Sequence, residues 1–390
     1  MTEVPRRIHM LGTGSIGKLV AHSLAGAANP PPITLLLHRY KLYQAWRDSP
    51  KHITIQTDGY NVSRAGFDVE LAAAARTPGA APTDSTPLYN DVPDAPQSDE
   101  PIHNLIVTVK APHTINALSA VKHRLLPTST VCFLQNGLGV IDDVNDALFP
   151  DPATRPNYMQ GIITHGVHQP RRNDPFFAVH AAHGTIALGI LPRESDQAKD
   201  QDITKPVFFS QTSRYLLRTL TRVPVLAAVA IPPVELLQQQ LEKLAVNAVI
   251  NPLSVMLDAV NGSILYNYAL TRTMRLLLGE ISLVLTSLPE LRGLPNVATR
   301  FSPERLETLV VSVADSTKNN TSSMLADVRL GRQTEVKWIN GYVVKRGEEL
   351  GVQCVCNYMM MQLVQGKQNL IDRELQEGVA MERPDLNGER

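Results

Sequence analysis

The stretch that decides the fold is RIHMLGTGSIGKLVAHSLAGA at Arg7–Ala27. Its first residues, Arg7–Leu11, are typical of a short buried strand, and the run Lys18–Ala27 has helical character. The turn between them has the spacing G-x-G-x-x-G, which lets the backbone turn tightly and approach a pyrophosphate at a helix N-terminus. The stretch therefore predicts a Rossmann-type dinucleotide-binding unit. The residues expected to contact the cofactor here are Gly12, Gly14, Ser15, Ile16 and Gly17.

The residues that follow the next predicted strand, Ile33–Leu37, indicate whether the cofactor is NAD or NADP. The strand runs into His38 and Arg39, where an enzyme that uses NAD usually carries an acidic residue for the ribose diol. A cation suits a 2′-phosphate instead, because a guanidinium can pair with phosphate oxygens in a fork geometry. The sequence therefore predicts NADP(H), with Arg39 at the 2′-phosphate.

Two further predicted strands also end in polar residues. Asn104–Val109 runs into Lys110, and Thr130–Leu134 runs into the QNGLG loop that contains Asn136. In a doubly wound sheet, ligands bind beyond the carboxyl ends of the parallel strands. Lys110 and Asn136 are therefore candidate cofactor or substrate contacts, and the alternative is an ordinary turn lysine and an Asn-Gly loop.

A polar row interrupts the most apolar predicted helix, VELLQQQLEKLAVNAVINPLSVMLDAVN at Val234–Asn261. Lys243, Asn247 and Asn251 stand at successive i, i+4 positions, so their side chains project from one face. Buried amides cost free energy unless they are hydrogen-bonded, so the row either lines a cleft, packs on another polar surface or faces solvent. Two asparagines at this spacing favour a cleft, because Asn is a poor former of exposed helix, but the row alone leaves a solvated face open.

Strand patterns are confined to the first part of the chain and helical patterns to the second. We place the junction at Pro232-Pro233, because proline ends an extended chain and pre-sets the first turn of a helix. The fold class expected is an α/β Rossmann-type N-terminal domain at 1–232 followed by an all-α domain at 233–375. The composition further predicts a flexible Pro-rich insertion at about 72–101 and a disordered polar tail at 376–390.

Several individual elements are also predicted. Thr334 is a candidate N-cap, with Glu335 entering the following helix. Val223–Ala230 has the pattern of a strand. The helices expected after Asn261 are Tyr266–Thr286, Pro303–Asp315, Glu335–Leu350 and Asn357–Gln365.

Composition excludes several classes of protein. Lys and Arg together number 37, as do Asp and Glu, so no basic field would attract nucleic acid or anionic lipid. No apolar run approaches the roughly 18–20 residues of a membrane span. The chain enters a strand almost at once, which leaves no room for a secretory signal or a transit peptide. We therefore expect a cytoplasmic protein without nucleic-acid or membrane partners, and a mitochondrial location stays open as the alternative.

Histidines and cysteines do not form a recognisable metal motif. The two His-x-x-His pairs begin at His165 and His180, in segments that look like strands, where residues three apart point to opposite faces. The three cysteines give neither a disulfide framework nor a second ligand pair beside Cys354-x-Cys356. We predict no metal site.

Together these motifs resemble the ketopantoate reductase family, the 2-dehydropantoate 2-reductases, over nearly the whole chain. The motifs occur in the family's order, and the helix and the serine–glutamate segment are far more specific than the glycines. The segments that carry the resemblance are GTGSIG at Gly12–Gly17, VTVKA at Val107–Ala111, QNGLG at Gln135–Gly139, the helix motif at Lys243–Asn251, and SSML…TEVKWINGY at Ser322–Tyr342.

The resemblance implies roles for residues at the matching positions. Lys243 corresponds to the general acid, and Glu335 to the glutamate that holds the substrate hydroxyl. Lys110 and Asn136 correspond to the family's cofactor-binding lysine and its QNG asparagine. The residues that correspond to substrate-binding positions are Asn247, Asn251, Asn261 and Ser323.

The expected activity is NADPH-dependent reduction of ketopantoate to pantoate, which feeds pantothenate and coenzyme A synthesis. The chain departs from compact members by the Pro-rich insertion, by a loop at Pro170–Pro175, and by His113 in place of a more usual Gln. Two alternatives stay open: a paralogue that reduces another 2-oxo acid, and a non-catalytic member with a binding or regulatory role, as in fungal relatives linked to mitochondrial translation. Helical C-terminal domains often pair, so a homodimer is a further expectation.

Overall fold

The computed structural model describes residues 4–72, 98–170, 174–193 and 209–376. The chain divides into two compact units, Met1–Asn136 with Val140–Leu237, and Gly137–Gly139 with Gln238–Arg390. The division at Leu237 lies inside a helix that begins at Pro233, the position where the sequence analysis starts its second domain. The expected insertion at 72–101 and tail at 376–390 lie almost wholly outside the described residues, as does part of the loop at 170–175.

The described residues of the first unit form two sheets. Their strands are β1 (Ile8–Leu11), β2 (Ile33–Leu37), β3 (Ile53–Thr57), β4 (Tyr60–Arg64), β5 (Phe67–Leu71), β6 (Ile102–Val107), β7 (Leu125–Phe133), β8 (Asn157–Ile163), β9 (Gly166–His168), β10 (Phe177–Ala182), β11 (Ile186–Ile190) and β12 (Ala228–Ala230). The larger sheet has the order β12-β11-β8-β7-β6-β1-β2-β5, and the smaller one has the order β4-β3-β10-β9.

The larger sheet is parallel from β5 to β8, and its register aligns the strand ends. Leu11 pairs with Leu36 on one side and with Val107 on the other, and Val107 pairs with Phe133. The last residues of β1, β2, β6 and β7 are apolar and buried on both faces, as a sheet covered by helices requires. The residues that follow β1, β2, β6 and β7 therefore emerge at one edge of the sheet. The helices of this unit are α1 (Ser15–Ala25), α2 (Tyr40–Asp48), α3 (Thr114–Ser119), α4 (Val140–Leu148) and α5 (Gln211–Thr221).

The second unit is helical throughout its described residues. Its longest helix, α6 (Pro233–Leu257), carries the polar row and has Pro252 in its interior. Leu277, Ile281 and Val284 are among the buried side chains of its core. The remaining helices are α7 (Tyr268–Ser287), α8 (Val297–Arg300), α9 (Pro303–Ser316), α10 (Ser323–Arg329), α11 (Asn340–Leu350) and α12 (Val355–Gln376).

The predicted fold class, an α/β dinucleotide-binding unit followed by a helical one, is confirmed. Within the described residues, no helix combines the length and the apolar character that crossing a bilayer requires.

Two local predictions are wrong. The strand expected at Val223–Ala230 is a 3-10 turn over Pro224–Leu226 followed by the short β12, because Pro224 is suited to the first turn of a helix and not to a strand interior. The helix expected from Glu335 begins instead with a 3-10 turn at Val336–Trp338. Thr334 is not its N-cap, and its backbone N–H donates to Gln368 Oε1 at 3.0 Å.

Candidate functional site

Two glycines of the first unit occupy positions that no larger residue fits. Gly12 has a φ of +108°, and a Cβ atom there would lie 2.7 Å from the backbone nitrogen of Val109. A Cβ atom at Gly17 would lie 2.0 Å from the Gly12 carbonyl oxygen and 2.6 Å from Thr108 Oγ1. Thr108 Oγ1 donates a 2.7 Å hydrogen bond to that carbonyl, which joins the ends of β1 and β6. The close packing of backbone on backbone therefore requires glycine at both positions.

The start of α1 has the chemistry of an anion site. Gly14 precedes the helix and provides no side-chain cap, and no acidic residue stands in the first turn of this described helix. A Cβ atom at Gly14 would meet no described protein atom within 4 Å. The first backbone N–H groups of a helix lack intrahelical partners and carry a partial positive charge, which favours a phosphate. The predicted residues Gly12–Gly17 thus form a backbone cradle that suits a pyrophosphate.

The other predicted cofactor residues lie at the same edge of the sheet. Arg39 follows β2 and is exposed, whereas Lys110 and Asn136 follow β6 and β7 and are half-buried. Gln135 Nε2 donates to the carbonyl of Val109 at 2.6 Å, so the ends of β6 and β7 are held together. The parallel register therefore gathers these cationic and amide side chains beside the glycine turn.

Sequence analysis did not single out Lys18, although it is completely buried in α1. Its Nζ donates to Gln169 Oε1 at 2.8 Å and to the carbonyls of Pro175 and Phe177 at 2.9 and 3.1 Å. These bonds attach the start of α1 to Gln169, which precedes the loop at 170–175, and to the segment Pro175–Phe177, where β10 begins. Because the partners lie more than 150 residues along the chain, no local pattern could have identified them.

In the second unit, Lys243, Asn247 and Asn251 share one face of α6, with a rise of about 6 Å between neighbours. Lys243 and Asn247 are half-buried, and Asn251 is buried. Burial of the Lys243 ammonium is the largest influence on its pKa and lowers that pKa to about 8. The carboxylate of Glu335 acts in the opposite direction and raises the pKa of Lys243. Glu335 is itself only 6% exposed, so two residues expected to be catalytic interact in a desolvated place.

The predicted serine, Ser323, is exposed in the first turn of α10. Its neighbour Ser322 is buried, and its Oγ accepts from the backbone N–H of Leu325 at 3.0 Å. Ser254 Oγ donates to the carbonyl of Asn251 at 2.7 Å and lies 2.6 Å from Ser322 Oγ. The Ser254 proton is thus used on Asn251, so Ser322 donates to Ser254. This chain of hydroxyls, which sequence analysis missed, fixes the start of α10 against the turn of α6 that carries Asn251.

Asn261 differs from the other predicted asparagines. It is buried in a 3-10 turn after α6, and its Nδ2 donates to Thr317 Oγ1 at 3.1 Å. Its backbone N–H donates to the carbonyl of Asn320 at 3.0 Å. Its Oδ1 is buried without a hydrogen-bond partner among the described residues. The structure therefore places Asn261 at the loop before Ser323, with its amide nitrogen already engaged.

The first histidines of the two His-x-x-His pairs are hydrogen-bonded to each other. His165 Nδ1 lies 3.0 Å from His180 Nε2, and His165 Nε2 lies 3.0 Å from the carbonyl of Leu226. Because Nε2 of His165 must donate to that carbonyl, its Nδ1 accepts from His180. Across the part of the chain that the structure describes, no three His, Cys, Asp or Glu side chains are arranged to hold a metal ion.

Two protein-family models match the chain. The one described as "Ketopantoate reductase PanE/ApbA" matches residues 8–193, and the one described as "Ketopantoate reductase PanE/ApbA C terminal" matches residues 235–368. Between them they include the glycine turn, Lys243 and Glu335.

Full-length relatives carry two different substrate names. The chain is 30% identical over 369 residues to a "Probable 2-dehydropantoate 2-reductase" of Schizosaccharomyces pombe, covering 93% of this chain and 97% of that protein. It is 26% identical over 391 residues to a "Ketoisovalerate reductase" of Beauveria bassiana, covering 90% of this chain and 80% of that protein.

Solved structures show the same fold at lower identity. A "Probable 2-dehydropantoate 2-reductase" of Bacillus subtilis aligns with a TM-score of 0.63 at 23% identity, covering 93% of this chain and 99% of the other. A D-mandelate dehydrogenase, solved with NADH and anilino(oxo)acetate, aligns with a TM-score of 0.67 at 16% identity, covering 94% and 99%.

Proposed function

The chain belongs to the ketopantoate reductase family, a family of oxidoreductases, and on that premise we propose that it reduces 2-dehydropantoate to pantoate with NADPH. The observation that carries the proposal is the lysine beside a buried glutamate. A lysine whose pKa is about 8 is still protonated at neutral pH, yet it loses its proton far more readily than an exposed lysine. That is the property required of a general acid.

The proposed reaction divides the work between cofactor and protein. Bound NADPH supplies the hydride that adds to the carbonyl carbon of the 2-oxo acid. The Lys243 ammonium stabilises the negative charge that develops on the carbonyl oxygen and then donates its proton to it. The product is the 2-hydroxy acid, and Lys243 recovers a proton from water. Because the neutral amine is the form that burial favours, proton donation costs less than it would in solution.

We propose that the remaining residues of the second unit bind the substrate. Glu335 accepts a hydrogen bond from the hydroxyl of ketopantoate. Asn247, Asn251 and Ser323 bind its carboxylate and carbonyl groups, and Asn261 completes the set by ordering the loop before Ser323. The partial burial of Asn247 and the exposure of Ser323 support this assignment.

The proposed cofactor contacts belong to the first unit. The N–H groups of Gly14–Gly17 bind the pyrophosphate, and Arg39 binds the 2′-phosphate. Lys110 and Asn136 contact the nucleotide or the substrate at the ends of β6 and β7. The exposed guanidinium at the position after β2 supports NADPH over NADH.

A second candidate substrate is 2-ketoisovalerate, which the name of the Beauveria relative suggests. This acid lacks the hydroxyl that ketopantoate carries, so it would make one hydrogen bond fewer to Glu335. The loss of that hydrogen bond should cost about 1–3 kcal/mol. Retention of Glu335 therefore favours ketopantoate. It also counts against a non-catalytic member, for which a desolvated lysine–glutamate pair has no chemical use.

The test is NADPH oxidation, followed by absorbance, with ketopantoate and 2-ketoisovalerate in parallel. We expect kcat/KM for ketopantoate to exceed that for ketoisovalerate by about 5- to 150-fold, the equivalent of about 1–3 kcal/mol. Glu335→Gln should lower kcat/KM for ketopantoate much more than for ketoisovalerate. A preference for ketoisovalerate would overturn the proposed substrate, and no turnover of either acid despite tight NADPH binding would overturn the proposed activity.

A further inference from the structure

Pro252 leaves a gap in the hydrogen bonding of α6. In a helix the N–H of each residue donates to the carbonyl four residues earlier, and proline has no N–H. The carbonyl of Ala248 therefore lacks its usual intrahelical donor. Ala248 adjoins Asn247 and lies between Lys243 and Asn251, so the gap falls within the polar row. A buried carbonyl at this point needs a donor from elsewhere in the molecule.

Asn340 supplies that donor. Its side chain is completely buried, and its Nδ2 donates to the Ala248 carbonyl at 2.9 Å. The same Nδ2 donates to Asn357 Oδ1 at 3.1 Å, so both amide protons are used. The Asn340 Oδ1 is buried with no hydrogen-bond partner among the described residues, and its desolvation lowers the stability of the fold at this position.

The far side of Asn340 is held by a second layer of bonds. Asn357 Nδ2 donates to Glu280 Oε2 at 2.8 Å and to the carbonyl of Leu277 at 3.2 Å. The Glu280 carboxylate also accepts from the backbone N–H groups of Cys356 and Asn357, at 2.8 and 2.9 Å, in the first turn of α12. Because Asn357 is oriented by α7 and α12, its oxygen presents a fixed acceptor to Asn340.

A single tight turn connects Asn340 to Glu335. The backbone N–H of Trp338 donates to the Glu335 carbonyl at 2.9 Å, and that of Ile339 donates to the Val336 carbonyl at 3.2 Å. Val336 and Ile339 are each 1% exposed. The turn is therefore internally bonded and fixed by two buried side chains, so a displacement of Asn340 would displace Glu335.

From these contacts we infer that Asn340 is a positioning residue, which ties the turn that carries Glu335 to the part of α6 that carries Lys243, Asn247 and Asn251. The inference rests on the proposed function, because it concerns the lysine and glutamate proposed to act in reduction. Its physical basis is the hydrogen bond from Asn340 to the Ala248 carbonyl. That carbonyl is open to Asn340 because Pro252 has no N–H to donate to it.

The decisive experiment removes the hydrogen bond from Asn340 to Ala248 while the Ala248 carbonyl keeps a donor within α6. Pro252→Ala returns an N–H to the Ala248 carbonyl, so Asn340→Ala in that background leaves this carbonyl paired and the chain able to fold. We expect kcat of the double variant to be at least tenfold below that of Pro252→Ala alone, with NADPH affinity within twofold. Equal kcat in the two variants would mean that Asn340 serves only the carbonyl, and would overturn the inference.

A matched control separates positioning from general destabilisation. Asn104 in β6 is also completely buried, and its Nδ2 also donates to two acceptors, the carbonyls of Pro5 and Arg7. Asn104→Ala should lower the melting temperature and leave kcat within twofold. A loss of kcat in this control as large as in the Asn340 variant would overturn the inference.

A measurement that needs no turnover distinguishes failure of the inference from failure of the proposed function. The pH dependence of Lys243 acetylation by acetic anhydride, read by mass spectrometry, should have a midpoint near 8 in the parent chain. If Asn340 no longer holds the turn, Glu335 should move away from the ammonium, and because its carboxylate raises the pKa of Lys243, the midpoint should fall below that of the parent chain. An unchanged midpoint in the double variant would overturn the positioning inference, whereas inactivity of the parent on both acids would overturn only the proposed function.

Discussion

The two candidate sites of this protein are built from different parts of the chain. In the first unit, the turn at Gly12–Gly17 presents backbone N–H groups, and a side chain is excluded at Gly17, where a Cβ atom would lie 2.0 Å from a carbonyl oxygen. In the second unit, α6 presents the side chains of Lys243, Asn247 and Asn251. A backbone site is sensitive to added atoms, and a side-chain site is sensitive to removed ones. The comparison therefore predicts opposite responses to substitution.

The two sites also differ in electrostatics. The first offers an uncapped helix N-terminus and the exposed guanidinium of Arg39, which suit a group that stays charged. The second holds a half-buried lysine whose pKa is raised by a buried glutamate and lowered, more strongly, by desolvation. A desolvated lysine suits a group that must change its charge during a reaction. The first site is thus suited to binding, and the second to proton transfer.

The largest expected effect comes from removing the ammonium. Lys243→Ala should lower kcat by about 10²–10⁴-fold, the range typical of a lost general acid, while the Kd for NADPH changes little. Steady-state kinetics and cofactor titration measure the two quantities. Lys345→Ala, which removes an exposed lysine of the same unit, should leave both unchanged. Normal turnover by Lys243→Ala would show that the second site does not supply the proton.

The next effect comes from adding one carbon to the first site. Gly17→Ala should cost about 3 kcal/mol of folding stability, the upper part of the range for overpacking, because its neighbours are backbone and Thr108. Gly14→Ala should keep the melting temperature, since its Cβ meets no described atom within 4 Å, and should weaken NADPH binding. Thermal unfolding and NADPH titration test the pair. Equal melting temperatures for the two variants would contradict the close packing at Gly17.

Arg39→Ala tests whether the first site recognises a 2′-phosphate. Loss of a charge-assisted hydrogen bond costs about 1.5–3 kcal/mol, so kcat/KM with NADPH should fall about 10- to 100-fold. Values with NADH should stay unchanged, because NADH lacks the 2′-phosphate. Arg47→Ala, at the other end of α2, is the matched control. If the parent chain uses NADH and NADPH equally well, the specificity assigned to Arg39 is wrong.

The smallest effect is a pH dependence, which should come from the second site alone. The reaction needs the protonated lysine, so activity is retained below its pKa of about 8 and is lost above it. Between pH 8 and pH 9, kcat should fall toward the limiting slope of about tenfold per pH unit. The profile is measured with saturating cofactor and ketopantoate. If activity is lost at high pH with a midpoint near the ordinary pKa of lysine, burial does not lower the pKa of Lys243 during turnover.

Sequence analysis anticipated the features that depend on local spacing. The glycine turn follows from the positive φ of Gly12 and the close backbone packing at Gly17, and the polar row on α6 follows from helical periodicity. The prediction was wrong at Val223–Ala230, where the apolar residues suggested a strand but Pro224 starts a 3-10 turn. Apolar composition alone could not distinguish the two.

The residues that sequence analysis missed are those whose partners lie far along the chain. Lys18 bonds to Gln169, and Asn340 bonds to Ala248, 92 residues earlier. Neither has a local pattern that marks it as buried. The hydroxyl chain from Asn251 through Ser254 to Ser322 is equally invisible, since it forms only when α6 and α10 pack together.

The sequence by itself determined the order of the two units, the glycine turn, and which residue types stand on the polar face of α6. These depend on backbone sterics and on periods of two and 3.6 residues, which act over a few neighbours. Only the tertiary structure decided that Glu335 influences Lys243, that burial lowers the pKa of this lysine, and that Asn340 completes the hydrogen bonding of α6. Desolvation and long-range hydrogen bonds arise from packing, because they depend on which distant segments exclude water from a group.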